Sequence, residues 1–135
     1  MNVLLSIKPY FAEKIFSGEK IFEFRKSLPN VPIDKIILYV SMPVQKIIGE
    51  IEISGIICDE PGSLWLRTQS GAGITEDFFN AYFDNKPFGY AIRIKSVRKY
   101  QRPLDPFLLE DEFTPPMSYR LLSSEGRLAK KLRDM

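Results

Sequence analysis

The segment FSGEKIFEFRK, residues 16–26, contains five charged side chains, three of which have types and a spacing that suit a ligand site. These three are Lys20, Glu23 and Arg25, and apolar residues separate them. A lysine and an arginine can donate to phosphate or carbonyl oxygens, and a carboxylate can accept a proton or a hydrogen bond from an amino group. The same pattern is typical of an exposed ion pair beside a solvated lysine, which contributes only about 0–1 kcal/mol. Residue types alone therefore leave two interpretations open, a ligand site and a solvated surface.

The amino-acid composition restricts the chemistry that such a site can perform. The chain has no histidine among its 135 residues and one cysteine, Cys58. Ser-His-Asp and Cys-His catalysis are therefore excluded, as are a histidine zinc triad, an intrachain disulfide and a multi-cysteine metal site. Proton transfers in an enzyme of this composition fall to Lys, Glu, Asp or Tyr, or to the substrate itself. We expect neither a metal ion nor another cofactor.

Charge and hydropathy indicate the class of protein. The 19 basic residues nearly balance the 17 acidic ones, so a general attraction to nucleic acid or to an anionic membrane is not expected, and a basic recognition site must be local. With 44% hydrophobic residues, the chain can bury one core. It contains no apolar run near the roughly 20 residues of a membrane helix, and its apolar N-terminal stretch is too short for a secretory signal. We expect a cytoplasmic protein without a membrane partner.

The three charged residues lie on a predicted strand that follows a predicted helix. Residues 2–7 form a short apolar strand, and residues 9–17 form a helix that starts at a proline and has apolar residues at helical spacing. Residues 20–26 then alternate as a strand does, which places Glu23 and Arg25 on one face. Side chains two apart on a strand have Cα atoms about 7 Å apart, so these two can pair or hold one ligand between them.

The remaining elements predict a curved sheet. Residues 35–41 form a buried strand, and residues 47–57 form a strand in which Gly49 and Gly55 mark bulges and Glu50 and Glu52 lie on a wet face. Thr75 caps a second helix, for which Phe78, Phe79 and Phe83 are predicted to be core residues, and residues 89–100 return to a strand. The order β-α-β-β-β-α-β predicts an α+β fold, a small mixed barrel with two or three flanking helices.

Several spaced segments together resemble a known family, the ASCH domain of the PUA-like superfamily. They are LLSIKPYFAEKIFSGEKIFEFRK, ILYVS, IIGEIEI, LW, FFNAYF and GYAIRI, and the most specific part is the motif G-x-K-x-x-E-x-R, present as Gly18, Lys20, Glu23 and Arg25. The resemblance implies a PUA-like β-barrel domain over residues 1–105. Residues 106–135 are then a C-terminal extension that packs on the barrel or is partly flexible.

The resemblance also implies a cleft for RNA or a modified nucleoside, with the motif on its wall. The first hypothesis is a binding module for RNA or a nucleotide, with a regulatory role in translation or transcription. The alternative is an enzyme in the same cleft, either a ribonuclease or a small amidohydrolase acting on N-acylated nucleosides such as N4-acetylcytidine. Some family members remove this acetyl group with a lysine, a threonine and a glutamate. Lys20 matches that lysine, but Glu23 stands in the threonine position, so we favour binding and assign catalysis, if any, to Lys20 and Glu23.

Further candidate ligand contacts lie outside the motif, and each has an alternative structural role. Lys8 precedes the first helix and is either a phosphate contact or an ordinary exposed lysine. Ser41 ends a buried strand, Tyr90 follows a glycine, and Ser118 follows a double proline, so these three could line the cleft or stabilise local structure. Trp65 could stack on a base, but core packing is favoured. The four basic residues of the C-terminal end could contact phosphate, although a frayed tail is favoured: Arg127, Lys130, Lys131 and Arg133.

Overall fold

The computed structural model describes residues 1–135. It contains six strands, five helices and a short 3-10 turn. In chain order these are β1 Asn2–Ile7, α1 Pro9–Ser17, β2 Phe22–Arg25, β3 Lys35–Val40, β4 Lys46–Asp59, α2 Pro61–Thr68, the 3-10 turn Gln69–Gly71, α3 Glu76–Tyr82, β5 Gly89–Leu104, α4 Pro106–Leu109, β6 Tyr119–Leu122 and α5 Arg127–Arg133. No helix combines the length and the hydropathy that a membrane span requires.

The strands form a single curled sheet, a half-barrel with the strand order β2-β5-β4-β3-β1-β6. Strands β1 and β3 are parallel, and all other neighbours are antiparallel. The register between β4 and β5 shifts next to Gly49 and next to Gly55. Such irregularities bend a strand and increase its twist. The predicted α+β class and the curved sheet are therefore confirmed, and register irregularities lie next to the two glycines that were predicted to mark bulges.

Apolar side chains form clusters on both sides of this sheet. One cluster lies between α1 and the strands β1, β3 and β4, with Ile15 and Leu38 among its buried members. A second lies beneath α3 and includes Phe24 and Phe79. The half-buried Trp65 packs on Phe79, with ring centroids 5.1 Å apart, as its favoured core role requires. These clusters pack α1 and α3 against the sheet that contains β2, the strand that carries the charged motif.

Two predicted burial assignments are wrong. Glu50, expected on the wet face of β4, is only 6% exposed, because Lys35, Arg98 and Tyr100 all contact its carboxylate. Phe78, expected in the core, is 44% exposed. The periodicity of apolar residues identifies the strand and the helix in these two cases. It does not show which other residues cover a given side chain.

The C-terminal segment is ordered against the half-barrel. Strand β6 pairs with β1, so that Leu5 lies opposite Tyr119, and the side chains of Leu122 and Leu128 are buried. Helix α5 replaces the expected frayed tail, and its end is held by Arg98, whose Nη2 donates to the backbone oxygen of Met135 at 2.8 Å. The division of the chain near residue 105 into a domain and an extension stays a prediction.

Candidate functional site

A cleft of about 700 Å³ opens where β1 and β3 end, beside β2 and α3. The segment Pro115–Ser118, which leads into β6, forms part of its wall. Six of the seven predicted ligand contacts line this cleft: Lys8, Lys20, Glu23, Arg25, Ser41 and Ser118. Tyr90 does not; it is half-buried and packs on Phe88, with ring centroids 6.0 Å apart. The structure thus brings together residues that are up to 110 positions apart in the sequence.

Lys20, Glu23 and Arg25 form a chain of contacts inside the cleft. The Nη2 atom of Arg25 lies 2.9 Å from Oε2 of Glu23, and Nε donates to the same oxygen at 3.2 Å. The Lys20 ammonium lies 3.8 Å from Oε1 of Glu23. The three residues are 2%, 6% and 9% exposed. The interpretation as an exposed ion pair beside a solvated lysine is therefore wrong.

Burial changes the acidity of Lys20. Its ammonium donates to the backbone oxygen of Ala72 at 2.8 Å and lies 4.8 Å from the ring centroid of Phe24. Loss of hydration lowers the pKa of Lys20 to about 8, and the nearby charge of Glu23 opposes this only in part. A lysine with this pKa can gain or lose a proton near neutral pH, whereas an ordinary lysine cannot.

Arg25 connects the motif to the C-terminal segment. Its Nη2 donates to the backbone oxygen of Ser6 at 2.7 Å, and its Nη1 lies 3.5 Å from Oγ of Ser118. Ser6 in turn donates through Oγ to the backbone oxygen of Pro116 at 2.6 Å. No pattern in the sequence indicates this role of Ser6, since a serine near the end of an apolar strand has many ordinary explanations. Together these bonds fix the wall formed by the segment Pro115–Ser118.

Local backbone features place the motif at the cleft. Gly18 ends α1 in the left-handed conformation, with φ of 86°, so that the chain turns directly toward β2. Gly73 passes so close to Lys20 that a Cβ at this glycine would lie 2.6 Å from the Cβ of Lys20. Strand β2 then pairs with β5, with Glu23 opposite Ile92. Gly18 of the motif and the distant Gly73 therefore both help to position Lys20.

Aromatic side chains form much of the remaining wall. Phe11, Phe24, Phe78 and Tyr82 line the cleft, and the ammonium of Lys26 lies 4.6 Å from the ring centroid of Tyr82. Tyr82 lies on the same aromatic side of α3 as Phe78 and Phe79, but no core role was predicted for it. Burial raises the pKa of its hydroxyl above the usual value. These rings give the cleft flat apolar surfaces next to its charged groups.

The cleft has an excess of positive charge. Its lining includes the cations of Lys8, Lys20, Arg25 and Lys26, whereas Glu23 supplies its one carboxylate. No group of three or more His, Cys, Asp or Glu side chains that could hold a metal ion occurs in the structure. The arrangement suits an anionic ligand that also has a flat apolar part, since cations contact the former and aromatic rings the latter.

Comparison with known proteins agrees with this architecture. The chain is 28% identical over 131 residues to a protein named ASCH domain-containing ribonuclease from Zymomonas mobilis subsp. mobilis, which covers 92% of this chain and 86% of that protein. The crystal structure of ASCH from Zymomonas mobilis superposes with a TM-score of 0.88 at 27% identity, covering 99% of this chain and 94% of that chain.

A second relative is a much longer protein, of which this chain matches only a small part. The chain is 30% identical over 105 residues to ATP synthase subunit alpha of Ureaplasma parvum serovar 3, covering 77% of this chain but only 13% of that protein. The model of the ASCH domain matches residues 5–104. This match includes most of the chain and the whole charged motif, and it confirms the predicted family. The protein belongs to the ASCH domain family.

Proposed function

We propose that the cleft binds one nucleotide of an RNA strand. The observation that carries this proposal is the charge of the cleft, in which Lys8, Lys20, Arg25 and Lys26 outnumber the single carboxylate of Glu23. An excess of cations in a concave site favours an anion, and RNA carries one phosphate for each nucleotide. A relative that covers most of this chain is named a ribonuclease, which supports RNA as the class of ligand.

Lys20 and Arg25 retain hydrogen-bond donors for such a ligand. The Lys20 ammonium has three N–H groups, one of which donates to Ala72, while Glu23 lies at the longer distance of 3.8 Å. Arg25 has five N–H groups; those on Nε and Nη2 contact Glu23 and Ser6, and one of the two on Nη1 faces Ser118 at 3.5 Å. A donor therefore remains on each cation for a phosphate or carbonyl oxygen.

Glu23 is suited to recognise the edge of a base. Its Oε2 receives both contacts from Arg25, whereas Oε1 has only the distant Lys20 ammonium nearby. Oε1 can accept a hydrogen bond from the exocyclic amino group of a base, and the aromatic wall can stack on the base itself. We assign Lys8, Ser41 and Ser118, the other predicted contacts that line the cleft, to phosphate or sugar oxygens of the ligand.

Thermal unfolding in the presence of nucleotides tests this proposal. A ligand that binds only the folded state raises the melting temperature, so AMP, CMP, UMP and short single-stranded RNA form the panel. We expect at least one to raise the melting temperature of the wild type and to lose this effect in Lys20→Met. Lys95→Met, which removes an exposed lysine outside the cleft, is the matched control. An equal rise in all three proteins, or none in the wild type, would contradict the proposal.

The acidity of Lys20 favours a second, catalytic candidate, cleavage of the bound RNA. With a pKa of about 8, roughly a tenth of the molecules hold a neutral amine at pH 7. This amine can take the proton of the ribose 2′-hydroxyl. The 2′-oxygen then bonds to the adjacent phosphorus, and the bond from phosphorus to the 5′-oxygen of the next nucleotide breaks. That oxygen takes a proton from water, which leaves a 2′,3′-cyclic phosphate and a 5′-hydroxyl end.

Incubation with labelled single-stranded RNA and the matching DNA distinguishes cleavage from binding. Cleavage by this route requires the 2′-hydroxyl, so only RNA is cut, and the rate rises with pH up to about 8. Lys20→Met is expected to be inactive, with Lys95→Met as the active control. Intact RNA, together with a Lys20-dependent rise in melting temperature, would leave binding as the function. The same proteins should also be incubated with N4-acetylcytidine. Release of cytidine would support the alternative amidohydrolase hypothesis, which assigns the hydrolysis to Lys20 and Glu23.

A further inference from the structure

An exposed aromatic ring lies just outside the mouth of the cleft. Tyr10 of α1 is 60% exposed and precedes Phe11, which lines the cleft. The centroids of these two rings are 5.4 Å apart, and the same distance separates Phe11 from Phe78, which also lines the cleft and is 44% exposed. Both pairs meet edge to face. The three rings form a continuous aromatic series from the inside of the cleft to the surface.

Two lysines flank this aromatic series. Lys8 is exposed at the edge of the cleft and forms no salt bridge. The ammonium of Lys14 lies 4.7 Å from the ring centroid of Tyr10 and donates to the backbone oxygen of Gly73 at 3.1 Å. We call Tyr10, Lys8 and Lys14 the mouth platform. It combines an open ring with two ammonium groups that lack a carboxylate partner.

This arrangement has the chemistry of a binding site for single-stranded nucleic acid. Such sites stack successive bases on aromatic side chains and hold the phosphates with nearby cations. A free nucleoside or a mononucleotide would end inside the cleft and gain nothing from Tyr10. A strand that continues out of the cleft would bring its next base to the exposed ring and its linking phosphate toward Lys8.

We infer that the ligand is an RNA strand of at least two nucleotides, with the second base stacked on Tyr10 of the mouth platform. The inference rests on the proposed function, because it requires that the first nucleotide occupies the cleft. It adds that the protein distinguishes strands from mononucleotides. It also gives the strand a direction of exit, over the start of α1.

Affinity measurements on ligands of different length test this inference. The probes are AMP, CMP and UMP and the corresponding RNA tetramers, titrated into the wild type, Tyr10→Ala and Tyr10→Phe. Removing a stacked ring weakens binding about 5- to 150-fold. We expect the ratio of tetramer affinity to mononucleotide affinity to fall by this factor in Tyr10→Ala and to be retained in Tyr10→Phe. Phe88→Ala removes a ring that is 46% exposed but does not line the cleft, so it should keep the wild-type ratio.

The possible outcomes separate the two proposals. Equal affinities of the wild type for tetramers and mononucleotides, or a ratio unchanged in Tyr10→Ala, would overturn the mouth platform and leave nucleotide binding in the cleft intact. Absence of binding by every probe would overturn both. Tyr10→Leu, which keeps an apolar side chain but removes the ring, should behave as Tyr10→Ala does. It keeps the test valid if Tyr10→Ala does not fold.

Discussion

The side chain of Lys20 is 2% exposed, and yet it is charged at neutral pH. Burial lowers its pKa from 10.5 to about 8. Below pH 8 the ammonium is charged in both the folded and the unfolded chain. The full free-energy cost of burying this charge then lowers the stability of the folded state. Between pH 8 and 10.5 the folded chain binds fewer protons than the unfolded chain, and the free energy of unfolding therefore rises with pH. The shift corresponds to about 3 kcal/mol.

Replacing Lys20 by methionine should stabilise the protein at neutral pH. Lys20→Met keeps the length of the side chain and removes the buried charge, so we expect a gain of about 1–3 kcal/mol in the free energy of unfolding. The gain should shrink as the pH rises from 8 to 10.5, because the wild type then loses its charge in the folded state. Urea unfolding of both proteins across this range measures it, with Lys95→Met as the exposed control. A less stable Lys20→Met at neutral pH would show that the pairing with Glu23 outweighs desolvation.

Replacing Glu23 by glutamine should have the opposite effect on stability. Glu23→Gln removes the carboxylate between Lys20 and Arg25 and leaves two buried cations without a counter-charge, which we expect to cost about 3–5 kcal/mol. Glu52→Gln, at an exposed position on β4, is the control and should change little. Chemical denaturation provides the comparison. Similar midpoints for the two variants would mean that the buried pairs contribute no net stability.

The identity of the charged residues could be predicted from the sequence, but their burial could not. The motif that contains Lys20, Glu23 and Arg25 stands out by residue type and spacing. Their burial depends on Gly73, on Ala72 and on the segment Pro115–Ser118, which approach from distant parts of the chain. Local patterns carry no information about such contacts, and for the same reason they do not reveal the role of Ser6.

At the scale of elements, β4 shows why some predictions succeed. Gly49 and Gly55 interrupt an alternating strand, and both coincide with shifts in the pairing to β5. The two glycines nevertheless differ in their surroundings. A Cβ at Gly49 would lie 2.6 Å from the backbone oxygen of Arg98 and 2.8 Å from the ring of Phe16, whereas a Cβ at Gly55 would meet nothing within 4 Å. Gly49 is therefore required by close packing, and Gly55 is not.

This difference predicts different effects of the same substitution on one strand. Gly49→Ala should lower the free energy of unfolding by about 1–3 kcal/mol, because the added methyl group forces the backbone of β5 or the ring of Phe16 to move. Gly55→Ala, the matched control, should be nearly neutral. Thermal or urea unfolding of the two variants checks this prediction, and equal losses of stability would contradict it.

The sequence predicts helix α3 but not helix α2, and the difference has a physical reason. Thr75 has a cap signature, and its side chain does accept a hydrogen bond from the backbone of Phe78. Helix α2 has no comparable pattern, since only Leu64 and Thr68 of its eight residues are buried. With so short an apolar stripe, periodicity gives no signal. Pro61 at its start, a residue suited to the first helical turn, was the available indication.

At the scale of the whole molecule, the C-terminal segment completes one side of the sheet. An apolar cluster combines Leu4 and Tyr39 of the first half of the chain with Phe113, Leu122 and Leu128. We propose that residues 106–135 are an integral part of the folded unit, even though the family match ends at residue 104. The order of the elements does not reveal this, because β6 is only four residues long and pairs with the first strand.

Removal of residues 106–135 should therefore prevent stable folding. The truncated chain would expose the edge of β1 and part of this apolar cluster, so we expect loss of cooperative unfolding and association into larger species. A chain that ends at residue 126 lacks α5 but keeps β6, and it should remain folded with reduced stability. Circular dichroism and size-exclusion chromatography distinguish these states. A monomeric, cooperatively unfolding fragment of residues 1–105 would contradict the prediction.

The pairing of β6 with β1 also affects folding during synthesis. Of the six strands of this sheet, β1 is made first, whereas β6, Tyr119–Leu122, which covers its outer edge, is made last. Until β6 has been made, this edge is open to pairing with other chains, a state that promotes aggregation. The cleft is subject to the same delay, because Ser6 and Arg25 must wait for Pro116 and Ser118. The nascent protein therefore completes the wall of the cleft only after residues 116–118 have been made.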